Sequence, residues 1–335
     1  MLSTFSDRNT EACPAMPDGQ PNRMHPTNDR LARTLRVCAA CAATVVVASL
    51  AACSATGMPR EARAPSAREG APAPGLAAPP RENLRATLTR ALRPVLPDGD
   101  TRLAVAVVDL DSAYQQITSY GEDATFVTAS ISKVNILATL LLQAQDEGRE
   151  LTSAERRYAE EMIRTSDNEA ANVLWRAIGR AEGLDAANER LGLSSTQGGN
   201  SWGLTRTTAT DQVKLLRAVF AEGRWAPPAP RGLTQASRAS IGDLMGGITD
   251  DQDWGVSAAR SPGSRWALKN GWLRRTTTDL WVINSVGQVK VHGRRYLVSV
   301  LSDGNPTMES GISLVERAAR AAIGAASTHA RPWPQ

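Results

Sequence analysis

The sequence predicts an α+β domain: a five-stranded antiparallel sheet in a three-layer α/β/α arrangement, built from both ends of the domain, with an all-helical subdomain inserted between its second and third strands. Two observations carry this expectation. Strand-like runs occupy 102–120 and return at 266–301, with helical signals filling the interval. A helix-like run also lies before the first strands and another after the last, so each face of the sheet has helices available to cover it.

In chain order, RENLRATLTRALRPVL repeats apolar residues at Leu84, Leu88, Leu92 and Val95, the spacing of one helical face. RLAVAVVDL (102–110) and YQQITSY (114–120) then read as two strands joined by a tight turn around Asp111 and Ser112. The helix after Ser130 is apolar nearly all round, through Val134, Ile136, Leu137, Leu140, Leu141 and Leu142, which predicts burial. Thr152 with Glu155, and Ser166 with Glu169, have the spacing of capping boxes, and 211–220 reads as a further helix. WALK (266–269), DLWVINSV (279–286) and RRYLVSVL (294–301) supply the late strands, and a helix over 313–326 closes the domain.

The domain is expected to span 81–328, with 81–124 and 255–328 forming the sheet subdomain, 125–254 the helical one, and 329–335 a tail. What precedes it reads differently. Arg30, Arg33 and Arg36 lead into the apolar stretch Val37–Leu50, too short for a comfortable transmembrane helix but suited to the core of an export signal. Leu50-Ala51-Ala52-Cys53 resembles the lipobox of bacterial lipoproteins, which implies cleavage before Cys53, acylation of its thiol and anchoring to the cell membrane. Residues 1–53 are thus expected to be an export signal, with Met24 a candidate start because 29 residues otherwise precede Arg30. Residues 54–80 are rich in Pro, Ala and Gly and lack the large apolar residues a core needs. They read as a tether reaching about 30 Å as a flexible coil.

The composition narrows the chemistry. All four cysteines precede residue 54, so neither a disulfide nor a thiolate metal site is expected in the domain. Only His292 and the tail residue His329 follow His25, which leaves no histidine constellation for a metal or for a Ser-His-Asp triad, and no cofactor is expected. The net charge of +4 comes without a basic run interleaved with aromatics, so nucleic acid is not an expected partner, and a monomer is expected.

Four of the 38 basic residues are lysines, which makes Lys133 conspicuous. It follows Ser130 by three, a spacing that puts both side chains on one helical face, where an amine can take a hydroxyl proton. The bland alternative is a capping serine and a snorkelling lysine. Gly199-Asn200-Ser201-Trp202-Gly203 also matches a Gly-x-Ser-x-Gly pattern, but no hydrophobic strand precedes it and no helix directly follows, so it reads as a glycine-rich loop. Ser166-Asp167-Asn168 falls between two predicted helices, and Lys269-Asn270-Gly271 falls at the end of a late strand.

Ser-x-x-Lys, Ser-Asp-Asn and Lys-x-Gly in this order resemble the signature of the class A β-lactamases and penicillin-recognising serine acyltransferases. The resemblance implies a β-lactamase/transpeptidase-like fold, with Ser130 as acylated nucleophile, Lys133 as its base and Ser166 as proton relay to the leaving nitrogen. It further implies that Asn168, Lys269, Asn270 and Gly271 contact substrate, and that the backbone N–H groups of Ser130 and Trp272 form an oxyanion hole. The implied substrates are β-lactams or cell-wall peptide amides. Three departures stand out. Asn270 replaces a hydroxyl residue, and the interval from Ser130 to Ser166 is roughly two dozen residues shorter than the family pattern. The segment 191–211 contains no glutamate to activate a deacylating water, Asp211 being its only acid, and Asp211 sits three residues after Thr208, where it also fits a helix cap. Slow deacylation is therefore expected. The alternatives are a genuine β-lactamase whose deacylating base is Lys133 or Asp211, and a non-catalytic lipoprotein that binds peptides or muropeptides.

Overall fold

In a computed structural model, which describes residues 83–97, 99–225 and 232–330, strands from the two ends of the domain meet in one antiparallel sheet. The expected signal, Cys53 and tether lie outside the described residues. The strands β1 (Arg102–Asp109), β2 (Thr118–Tyr120), β5 (Trp266–Arg274), β6 (Trp281–Val291) and β7 (Arg294–Asn305) are ordered β2-β1-β7-β6-β5. In register, Val105 lies opposite Val300, and Lys269 lies opposite Val286. A second pair, β3 (Phe126–Val127) with β4 (Arg206–Thr207), was not foreseen and ties the segment before Ser130 to the loop after residue 191.

Strand periodicity explains why β1 is apolar almost throughout. Leu103, Val105 and Val107 join one core with Leu88, Leu92, Leu268, Val298, Val300, Val315 and Ala319, beneath α1 (Leu84–Leu92) and α8 (Met308–Ala330). Ala104, Ala106 and Val108 face the opposite core, with Leu137, Leu140 and Leu216 from α2 (Ser132–Asp146) and α6 (Ala209–Phe220). With helices on both faces, neither side of the strand can be polar. The three layers follow.

Between the strand groups lie α2, α3 (Ser153–Arg164), α4 (Asn168–Ala177), α5 (Arg180–Arg190), α6 and α7 (Gln235–Met245), of which α5 and α7 were not foreseen. As the sequence predicts, α2 is buried along most of its length. The box opening α3 closes in both directions: Glu155 N donates to Thr152 Oγ1 at 3.1 Å, and Thr152 N to Glu155 Oε2 at 2.7 Å.

Three local expectations need correction. The box expected from Ser166 and Glu169 is absent; Asp167 is the N-cap of α4, accepting from Ala170 N at 2.7 Å, while Ser166 stands one residue outside the helix at a positive φ of 58°. The strand expected at 114–120 begins only at Thr118, since Gln115 takes a positive φ of 39° and its amide donates to Leu110 O. The strand expected to stop at Lys269 continues to Arg274, placing the whole Lys269–Trp272 segment inside an edge strand.

Candidate active site

Ser130 lies on a 3₁₀ turn, Ala129–Ile131, directly before α2, with Ala129 in the left-handed region at φ 47°. The segment leading into this turn is fastened from two directions. Asn284 on β6 donates to the carbonyls of Val127 and Thr128 at 2.8 and 3.0 Å, and Thr128 N donates to Thr205 O at 2.8 Å. Strand β5 lies against the turn at Gly271. A Cβ there would fall 2.7 Å from Thr128 O and 2.9 Å from the backbone nitrogens of Ser130 and Ile131, so only glycine permits this approach. Ser130 itself is 7% exposed.

Lys133, the second residue of α2, is fully buried. Its Nζ donates to Ser166 O at 2.6 Å, Ser166 Oγ at 3.2 Å and Asn168 Oδ1 at 2.9 Å, all from the segment opening α4 rather than from Ser130. Lys269, equally buried on β5, donates to the same Ser166 Oγ at 2.9 Å, to Asn270 O at 3.0 Å and to Gln252 Oε1 at 3.4 Å. One hydroxyl thus sits between two amines. Ser166 can do this because it stands outside the helix, at φ 58°, leaving the cap to Asp167.

Burial in a site without a paired carboxylate disfavours the charged form of both amines. Desolvation, then the charge of Lys269, hold Lys133 well below the usual lysine range, against the opposing pull of Asp167. Burial pushes Lys269 down to about 7, with Asp251 pulling the other way. An amine that is neutral near working pH can accept a proton from a hydroxyl.

The remaining expected residues divide. Trp272 follows Gly271 on the edge strand, with its side chain edge-on to Trp254 at 5.9 Å between ring centroids and its own ring centroid 6.0 Å from Lys269 Nζ. Asn270 does not offer the expected substrate contact. Alternation along β5 turns it away from Lys269 and Gly271, and its fully buried amide donates to the carbonyls of Gln252 and Trp254 at 2.8 and 3.1 Å. Asp211, expected as a possible deacylating acid, is committed elsewhere. Its carboxylate accepts from Ser195 N at 2.7 Å, Thr196 Oγ1 at 2.9 Å and Lys214 Nζ at 2.9 Å, and its own N–H donates to the N-cap Thr208. Among the described residues no cluster of His, Cys, Asp or Glu could hold a metal ion.

Two further side chains touch the amines. Gln252 reaches Lys269 from the segment before β5, with nothing in the sequence to mark it. Trp202 covers Lys133: its ring centroid lies 4.7 Å from Nζ, and its Nε1 donates to Asn172 Oδ1 on α4 at 2.9 Å. A large aromatic residue within a glycine-rich polar loop was the available signal.

The comparisons agree with this architecture. A family model described as "Beta-lactamase enzyme family" matches residues 154–328, a span that includes Ser166 and Lys269 and begins after Lys133. Proteins named "Putative lipoprotein LppW" from Mycobacterium bovis and Mycobacterium tuberculosis are 29% identical over 207 residues, or 60% of this chain; the match spans 62% of their length. Among solved structures, the penicillin-G acyl-enzyme complex of a point mutant of PBP-A is similar at a TM-score of 0.61 and 22% identity, covering 75% of this chain and 100% of that one. The TLA-1 extended-spectrum β-lactamase gives 0.61 at 13% identity, covering 72% and 97%. A class A β-lactamase from Mycobacterium abscessus gives 0.58 at 19%, covering 72% and 99%. At these identities the structural likeness establishes the fold.

Proposed function

The chain belongs to the β-lactamase enzyme family, and from that premise we propose that it is an exported serine hydrolase or acyltransferase that acylates Ser130 with β-lactams or cell-wall peptide amides and releases the acyl group slowly. The observation that carries this reading is the Ser166 hydroxyl held between two buried amines, 3.2 Å from Lys133 and 2.9 Å from Lys269. A hydroxyl so placed accepts a proton from one side as it gives one on the other.

In the acylation step, neutral Lys133 takes the proton of Ser130 as Oγ bonds to the carbonyl carbon. The carbon–nitrogen bond then breaks, and the proton passes through Ser166 to the leaving nitrogen. The close packing of Gly271 on the Ser130 turn supports an oxyanion hole made by the N–H groups of Ser130 and Trp272, in which one donor is typically worth about 10²- to 10³-fold in rate. Lys269, when charged, supplies positive potential for a substrate carboxylate. Asn168, bonded to Lys133 in the free protein, would hold an acyl side chain. The relatives named as lipoproteins support anchoring of the mature chain through acylated Cys53.

Release requires a water and a base, and the loop over 191–211 contributes no free carboxylate. Intact-mass measurement after exposure to benzylpenicillin tests the reading. The native protein should gain one penicillin mass that persists, and Ser130→Ala should gain none. Binding of peptide ligands that survives Ser130→Ala, with no adduct on the native protein, would favour a non-catalytic binding protein. Fast linear turnover of a chromogenic cephalosporin without a trapped adduct would favour a genuine β-lactamase.

A further inference from the structure

The segment between α5 and α6 crosses the site and is fastened along its length. Asp211 holds Ser195 and Thr196, and Asp185 accepts from Gly198 N at 2.7 Å. Gln197 and Arg206 exchange backbone hydrogen bonds at 2.9 Å, and Thr205 accepts from Thr128, two residues before Ser130. Trp202 lies between these ties, 8% exposed, with its indole N–H bonded to Asn172 and its ring over Lys133.

Hydrolysis of an acyl-serine needs a water at the ester carbon with a base beside it. The water oxygen bonds to the carbon, the carbon–Oγ bond breaks, one water proton ends on Ser130 Oγ and the acid departs. Lys133 is the amine closest in sequence to Ser130, and its own hydrogen bonds run to Ser166 and Asn168. On the loop side, the Trp202 centroid is 4.7 Å from Nζ. Non-bonded heavy atoms pack at about 3.5–4.0 Å, and a water occupies a sphere of roughly 1.4 Å radius, so the gap between ring and amine is too small to hold one.

Resting on the acyl-serine reading above, we propose that Trp202 is a positioning residue that closes the loop side of Lys133 and keeps a deacylating water from the acylated Ser130, which makes the acyl-enzyme long-lived. Acylation has no need of that space, because the substrate nitrogen receives its proton from Ser166. The loop therefore separates the two half-reactions.

The test is the decay rate of the benzylpenicilloyl adduct, followed by intact mass after removal of free penicillin, in native protein, Trp202→Ala and Trp202→Phe. Opening the space should speed decay in Trp202→Ala by about tenfold or more, within the range a restored base-assisted water can supply, and the rate should rise with pH as Lys133 becomes neutral. Trp202→Phe, which keeps a ring over the amine, should restore most of the slow decay. Native-rate decay in Trp202→Ala would overturn the proposal, as would equal acceleration in both variants with no pH dependence, which would mark general loosening of the loop. If Trp202→Ala fails to fold, Asn172→Ala removes the indole's anchor instead; decay several-fold faster than native supports the proposal, and an unchanged rate overturns it. Absence of any adduct on the native protein would sink the acyl-serine reading itself, a result distinct from an adduct whose lifetime ignores Trp202.

Discussion

Replacing Lys269 with glutamine should move the acid limb of the acylation profile to higher pH. Lys133 and Lys269 each lie about 3 Å from the Ser166 hydroxyl, so their nitrogens are no more than roughly 6 Å apart. With an effective dielectric of about 20, two unit charges at that distance repel by about 2.8 kcal/mol. While Lys269 is charged, below its value of about 7, this repulsion disfavours protonation of Lys133 and preserves the neutral base. Lys269→Gln removes the repulsion while keeping a hydrogen-bond donor. At a pH on the acid limb the neutral fraction of Lys133 should then fall by up to about a hundredfold, the factor that 2.8 kcal/mol represents. The assay is the second-order rate of acylation by a fluorescent penicillin between pH 5 and 9, with Ser130→Ala as the blank. The native profile should be bell-shaped, rising as Lys133 loses its proton and declining above pH 7 as Lys269 loses the charge that attracts a substrate carboxylate. The variant should lose the alkaline decline, react more slowly and show its acid limb displaced upward. An acid limb that stays in place, or moves to lower pH, would refute the coupling.

Lys133→Arg should lower acylation by about 10²- to 10⁴-fold at every working pH, because a guanidinium stays protonated; native-like rates would remove Lys133 from the mechanism. Lys269 falls from 10.5 to about 7 on folding, so the unfolded chain binds more protons between those values and stability rises with pH across that window. The stability of Lys269→Met relative to the native protein should therefore shrink by about 3 kcal/mol between pH 7 and 9.5 in denaturant titrations, and a constant difference would contradict the burial of this amine. Gly271→Ala should cost about 1–3 kcal/mol and slow acylation, since its methyl meets backbone atoms of the Ser130 turn; unchanged melting and acylation would show that β5 does not lean on the turn. Cys53→Ala should release the protein from membranes or block its processing, as fractionation and N-terminal mass would show.

The elements legible in the sequence were those whose periodicity leaves one reading. Val105 and Val107 alternate with Ala104 and Ala106, and the buried face of α2 extends all round it, so β1 and α2 stood out. The three short motifs were legible because each joins residue types that rarely serve structure together, and the fold brings Lys133, Ser166, Asn168 and Lys269 into one hydrogen-bonded cluster. What was not legible depended on competition between neighbours. Ser166 and Asp167 are both good N-caps, and local rules do not say which one yields. The period of two did contain the answer for Asn270, which must face away from Lys269 and Gly271, but only once the strand was known to continue past Lys269. Trp202 is the opposite case. Its loop has no periodicity, and its position depends on Asp185, Asp211, Asn172 and Thr128, which the chain brings together only on folding.

The arrangement of charge argues that the site is shaped by chemistry at the expense of stability. Two fully buried lysines share a serine hydroxyl, and every hydrogen bond either amine makes goes to a neutral acceptor: Ser166, Asn168, Gln252 or Asn270. A core selected for stability would pair such amines with carboxylates or replace them with apolar side chains. Asp167 and Asp251 do pull on the two amines, but Asp167 spends an oxygen on capping α4 and Asp251 is exposed. The consequence is that both amines are displaced toward the neutral form, Lys269 to about 7. That condition suits the proposed proton path from Ser130 through Lys133 and Ser166, while the carboxylate of Asp211 is held in the loop scaffold. A carboxylate beside Lys133 would restore its charge, and the proposed acylation would lose its base.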